Sequence, residues 1–295
     1  MDEIFGIPMP ALMSQLLIGL VNGSFYAVLS LGLAVIFGLL NVINFAHGAF
    51  YMVGAFLAWM GMNYLGINYW VMLLASPLIV GVLGFAIERT MLRWLYKVDH
   101  IYGLLLTLGI TLVVEGVFRA AYGVSGQPYA APDGLSGAIN LGFMMLPTYR
   151  AWVVAASLLV CIGTWYTIER TKLGAYLRAG TENPKLVEAF GVNVPVMVTL
   201  TYAFGVALAA FAGVLAAPVI QVSPLMGSNL IITVFAVVVI GGMGSIIGSI
   251  LTGLGLGVIE GMTRVFYPEL SATVVFILMA IVLLVRPSGL FGKEN

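Results

Sequence analysis

Apolar runs of roughly twenty residues, the length a helix needs to cross ~30 Å of hydrocarbon, follow one another along nearly the whole chain. They lie near 12–40, 48–65, 70–87, 101–118, 151–168, 195–217, 230–240, 248–264 and 270–285. The first is long enough to tilt or bend, and the pair around 241–248 fits either two spans or one broken element. Only 8% of the residues are charged and 61% are hydrophobic, whereas a soluble domain carries about 25% charged residues. Such a chain cannot cover itself with polar groups in water. The expected fold is all-α: a single polytopic transmembrane helix bundle over residues 1–295, with about eight to ten spans and nine favoured.

Lysine and arginine placement orients the bundle, because cytoplasmic loops carry the excess of positive charge. Nine of the twelve basic residues (Arg89, Arg93, Lys97, Arg170, Lys172, Arg178, Lys185, Arg286 and Lys293) fall on one side of a nine-span chain. Arg119, Arg150 and Arg264 fall on the other, with Asp2 and Glu3. The N-terminus is therefore expected outside and the C-terminus in the cytoplasm. Asp2 and Glu3 also stand where a secretory signal needs positive charge, so the first run is expected to remain as a span.

Two loops are long. The external one, near 119–150, is rich in Gly, Pro and Ser and is expected to form an irregular cap. The cytoplasmic one, near 169–194, contains a short helix signal: Asn183 suits an N-cap, Pro184 the first helical position, and Gly191 a left-handed C-terminal stop. Leu186, Val187 and Phe190 would line one face. About two turns of helix are not stable alone in water, so this one must lie on the bilayer, on its own bundle, or in a groove of another protein.

Catalysis finds little support. The sequence has one cysteine, Cys161, two distant histidines, and neither a nucleophile elbow, a His-Glu-x-x-His nor a phosphate loop. No enzyme, bound cofactor, metal site or nucleic-acid partner is expected, and any ATP must be used by another subunit.

Four motifs in order carry a resemblance: Asn44-Phe45-Ala46-His47-Gly48 with Tyr51-Met52-Val53-Gly54; Arg178-Ala179-Gly180-Thr181-Glu182-Asn183-Pro184 with Gly191-Val192-Asn193; Gly241-Gly242-Met243-Gly244-Ser245; and Arg286-Pro287-Ser288-Gly289-Leu290-Phe291-Gly292. Over nearly its whole length the chain resembles the branched-chain amino acid permease family of ATP-binding-cassette importers, LivH type. The resemblance implies a multi-pass protein of a bacterial-type inner membrane. It further implies a second, related permease chain, two ATPase subunits beneath, and a periplasmic or extracellular solute-binding protein that delivers a small polar solute such as a branched-chain amino acid. It makes the cytoplasmic loop the coupling helix, with Arg178, Thr181, Glu182, Asn183, Pro184, Leu186, Val187, Phe190 and Gly191 as the ATPase-coupling residues. Many relatives carry an acid directly after Asn-Phe-Ala-His-Gly, where this chain has Ala49.

Polar groups in hydrocarbon ask for a reason. Asn22, Tyr26, Asn41, Asn44 and His47 mark the first span and its end, and Gly242 and Ser245 belong to a second Gly-rich interruption. Paired interruptions often line a transport path, so Asn22, Tyr26, Asn44, His47, Gly242 and Ser245 are the candidate path residues. Interhelical hydrogen bonding for the asparagines and a helix-end bond for His47 are the alternatives. Glu115–Arg119 and Glu260–Arg264 have the spacing of helical ion pairs near the outer face, and Glu88 is expected at an ordinary membrane boundary. The GxxxG spacings 19–23, 244–248, 253–257 and 257–261 suggest close helix packing. A secondary transporter or passive facilitator is the competing function; it usually needs an acid at mid-depth, and none is expected here.

Overall fold

The computed structural model describes residues 3–4, 7–40, 43–96 and 98–292; Asp2, Asn41, Lys97 and Lys293 lie outside them. The chain is mostly helical: α1 (Met9–Leu40), α2 (Ala46–Leu65), α3 (Tyr69–Ile87), α4 (His100–Tyr122), α5 (Thr148–Arg170), α6 (Lys172–Glu182), α7 (Pro184–Ala189), α8 (Val194–Ala216), α9 (Met226–Gly241), α10 (Ile246–Phe266) and α11 (Val274–Val285). α3 continues through a π-helical turn, Glu88–Leu92, and a last turn, Arg93–Leu95. Among the described residues, six helical segments are long and apolar enough to cross a membrane, lying in α1, α3, α4, α5, α8 and α10. α2 is less apolar. α9 and α11 have 16 and 12 residues, or about 24 and 18 Å at 1.5 Å per residue, less than a bilayer core.

Local chemistry sets several helix starts. Asn68, Asp99, Asn193 and Ser245 each accept a hydrogen bond from a first-turn backbone N–H of α3, α4, α8 and α10, satisfying donors a helix leaves open. α1 is the central helix, with 83% of its apolar stretch buried, while α4 and α5, at 22% and 28%, turn most of their surface outward. The tightest seam is α1 against α10. A Cβ at Gly19 would sit 2.6 Å from the Gly257 carbonyl, and one at Gly253 would sit 2.7 Å from Ala27 Cα. The GxxxG faces thus meet inside one chain, where close backbone approach replaces the hydrophobic drive that lipid cannot supply.

The bundle has a basic end and an opposite end. At the basic end, the question left open around 241–248 is resolved: α9 and α10 are separate helices joined by a four-residue turn. Gly242 and Gly244 adopt φ of 100° and 85° there, conformations that only glycine enters freely. The terminal Arg-Pro-Ser-Gly-Leu-Phe-Gly segment docks on this turn. Leu290 N–H donates to Ile240 O (2.8 Å) and Phe291 N–H to Gly241 O (3.1 Å), satisfying carbonyls that the end of α9 would otherwise leave open. At the opposite end, the 119–150 loop is more ordered than its composition suggests. It contains a short hairpin, β1 (Ala138–Asn140) with β2 (Met145–Pro147), and a bridge from Gln127 to Val222. The Tyr69 and Tyr149 hydroxyls meet at 3.0 Å beneath it.

Candidate functional site

Two helices begin inside the bundle rather than at its ends. α2 starts after residues 43–45, where Asn44 Nδ2 donates to Tyr202 Oη at 3.1 Å. Tyr202 lies eight residues, about 12 Å, into α8. α9 starts beside the first turns of α2, where Gly48 and Gly227 touch backbone to backbone. An interrupted helix exposes first-turn N–H groups to hydrocarbon unless something accepts them. Here α4 meets both. Its Thr107 Oγ1 accepts from Phe45 N–H at 3.2 Å just before α2, and its Glu115 carboxylate accepts from Ser228 Oγ in the first turn of α9. Thr107, Thr111 and Glu115 are spaced i, i+4, i+8 and all buried, so α4 carries one polar stripe toward the interruptions and an apolar surface elsewhere.

Glu115 is thereby a correction. It makes no ion pair with Arg119; among the described residues the ion pairs are Arg178–Glu169 and Arg264–Glu260. Three acids are buried within the protein: Glu115, Glu260 and Glu88 are only 6%, 8% and 1% exposed. Glu260 accepts from Arg264 (2.7 Å) and from Tyr26 Oη (2.7 Å), so its pair faces α1 rather than the outer surface. Glu88, expected at an ordinary boundary, sits in the π-helical turn and accepts from Tyr96 Oη at 3.0 Å. Burial, and then the Glu88 charge, push the Tyr96 hydroxyl far above its usual range, so it stays a donor. Glu88 and Tyr96 line a cavity of about 660 Å³ whose other wall includes Pro184 and Glu188 of α7.

The predicted path residues are scattered. Tyr26 faces Glu260, and Asn22 is half-buried on the same helix. Asn44 and His47 are fully buried. The Leu29 carbonyl lies 2.9 Å from His47 Nε2, and a carbonyl only accepts, so Nε2 carries the proton and Nδ1 is left without a partner. Gly242 is covered by the terminal segment and Ser245 caps α10. The Asn44–Gly48 element packs on the start of α9, and the Gly242–Ser245 turn packs on Gly38 and the terminal segment.

In the 169–194 loop, Asn183 Oδ1 accepts from Leu186 N–H at 3.1 Å, Pro184 opens α7, and Gly191 follows it with φ of 84°. One detail is corrected: Val187 is 7% exposed and turns inward, whereas Leu186 and Phe190 are 54% and 80% exposed. Before α7, α6 fills 172–182 with helix. Arg178 folds back to Ile168 O (3.2 Å) and Glu169 (3.3 Å), and Thr181 donates to Arg178 O (2.7 Å). Glu182 is exposed. Spacing alone marked the cap, the Pro and the stop; it carried no sign of Tyr202, and the Thr107–Thr111–Glu115 stripe was visible only as an i, i+4, i+8 pattern.

A membrane-embedded bundle with interrupted helices and a projecting helical loop defines a polytopic transport protein. The family model for the branched-chain amino acid transport system permease component matches residues 15–283, and the chain belongs to that family. It is 30% identical to the high-affinity branched-chain amino acid transport system permease protein BraD of Pseudomonas aeruginosa, with 96% of each chain covered. It is 28% identical, with the same coverage, to the permease protein LivH of Escherichia coli. To the permease protein LivM of the same species it is 28% identical, over 90% of this chain and 67% of that one. No solved structure matches.

Proposed function

We propose that this chain is one of two permease subunits of an ATP-driven importer for a branched-chain amino acid or a similar small polar solute. The observation that carries this is the family match over residues 15–283, joined to an α6–α7 element whose Leu186 and Phe190 are exposed. Two exposed apolar side chains, one on a six-residue helix and one at its C-cap, need a partner surface, and a groove on an ATPase subunit fits that need. In this reading nine helices, α1–α5 and α8–α11, enter the membrane, with the basic end cytoplasmic and the N-terminus outside. A related second permease completes the path, two ATPases dock at α7, and a soluble binding protein delivers solute at the opposite end.

Mechanically, movement of α7 is felt across the cavity by Tyr96 and Glu88. Tyr202, whose hydroxyl holds Asn44, lies near Glu88. Displacement at the basic end can thus reach the start of α2, and the interrupted helices are the elements that change position as access alternates. The test is purification from native membranes in mild detergent with mass spectrometry of bound proteins, followed by uptake into vesicles. Recovery of an ATPase and a second permease, with uptake abolished by ATP depletion, is the expected result. Uptake that persists without ATP would establish a facilitator or an ion-coupled carrier instead.

A further inference from the structure

We propose that Glu115, at the start of α9, is the group that receives the ammonium of the transported solute, with the first turn of α9 receiving its carboxylate. The inference rests on the importer reading above and names the residues of its solute site. Three observations converge. Glu115 is only 6% exposed, and among the described residues its carboxylate has one hydrogen-bond partner, Ser228. A single hydroxyl leaves most of a carboxylate's acceptor capacity open, and an unpaired charge at this depth is expensive unless it has a functional partner.

Next, the N-cap residue of α9, Leu225, offers no side-chain cap; Met226 N–H turns back to Ser223 O at 3.2 Å, which leaves the N–H groups of the rest of the first turn. They form a positive dipole end, suited to an anion beside the bound ammonium. Discontinuous helices place such ends at solute sites in membrane carriers. Finally, Asn229, one residue beyond Ser228, is exposed on the outward face of α9. Glu115 lies seven residues, about 10 Å, from the Tyr122 end of α4, so Asn229 sits well inside the bundle's thickness. A polar amide there does not face lipid. It faces a water-lined path or the second permease, and the neighbouring Ser228, itself only partly buried, holds Glu115 at the edge of that face. The site supplies both charges that a free amino acid needs, and it does so without a carboxylate at Ala49.

The experiment uses the assembled complex of both permeases and the ATPases in lipid nanodiscs without binding protein, so that the soluble subunit does not set selectivity. Radiolabelled L-leucine is the probe. The wild type should bind it, and 4-methylpentanoate, which lacks the ammonium, should fail to compete. Glu115→Gln, which keeps a hydrogen-bond acceptor for Ser228 and removes the charge, should weaken binding at least about tenfold, whereas Glu115→Asp should stay within a few-fold. Should Glu115→Gln not assemble, Ser228→Ala serves: it keeps the carboxylate but frees it, and should weaken leucine binding a few-fold while still rejecting 4-methylpentanoate. Wild-type affinity in both Glu115→Gln and Ser228→Ala, equal competition by 4-methylpentanoate, or no leucine binding by the wild type would each overturn the inference. ATP-dependent leucine uptake by the complete wild-type system separates the two levels. If uptake occurs and these results fail, only the Glu115 site falls; if uptake itself is absent, the importer reading falls with it.

Discussion

Replacing Gly253 by alanine isolates the steric logic of the central seam. An added Cβ would lie 2.7 Å from Ala27 Cα and N and 3.0 Å from Tyr26 C. These are backbone atoms of α1, which cannot rotate aside, so α1 must retreat by about 0.7 Å to restore ordinary contact. Overpacking of this kind costs roughly 1–3 kcal/mol. Alanine also improves helix propensity by about 1 kcal/mol over glycine, which partly masks the loss. Gly255, two residues along the same helix, provides the control, because nothing lies within 4 Å of a Cβ there. Gly255→Ala gains the same propensity without the clash, so the difference between the two variants reports the steric term alone, about 1–3 kcal/mol. The assay is unfolding of the purified chain in mixed micelles, followed by tryptophan fluorescence. Equal shifts for the two variants would refute the reasoning, since they would mean that the α1–α10 approach is not tight at Gly253.

Tyr26→Phe removes the hydroxyl that Glu260 accepts at 2.7 Å and should destabilise the chain by about 1.5–3 kcal/mol, the range for a hydrogen bond to a charged group; the same unfolding assay reads it, with Glu260→Gln completing a double-mutant cycle. Gly242→Ala places a Cβ at φ of 100° against the backbone of Gly292 and Phe291; it should release the terminal segment, seen as new cleavage within 286–292 by a protease added at the basic end. Phe190→Asp alters a side chain that is 80% exposed and should leave thermal stability within about 0.5 kcal/mol of wild type, while ATP-driven uptake and ATPase co-purification fall together; stable co-purification at the wild-type level would argue against α7 as the docking element.

Much of the fold was legible in the residues. Apolar runs fixed where the long helices lie, and the Asn183, Pro184 and Gly191 signals located α7 because caps and stops depend on the nearest few residues. The glycine spacings likewise announced close helix approach. The candidate site was less legible. Asn44 and His47 stood out as polar residues at a span end, yet their partners, Tyr202 and the Leu29 carbonyl, lie far away in sequence or in the backbone. Glu115 looked like half of a helical ion pair because Arg119 follows at i+4, and its actual partner, Ser228, is 113 residues away.

The sequence by itself determined that this chain lives in a bilayer, which segments are helical, and which end carries the positive charge, since hydropathy, capping and charge placement act through local composition. Only the tertiary structure decided which helix stands at the centre, that α2 and α9 both begin inside the bundle, and that one face of α4 accepts from the Phe45 N–H just before α2 and from the Ser228 hydroxyl in the first turn of α9. The reason is that burial and hydrogen-bond satisfaction inside hydrocarbon are properties of pairs of segments: a glutamate in an apolar helix is an expense until the fold brings a hydroxyl, a helix terminus and a transport path to meet it.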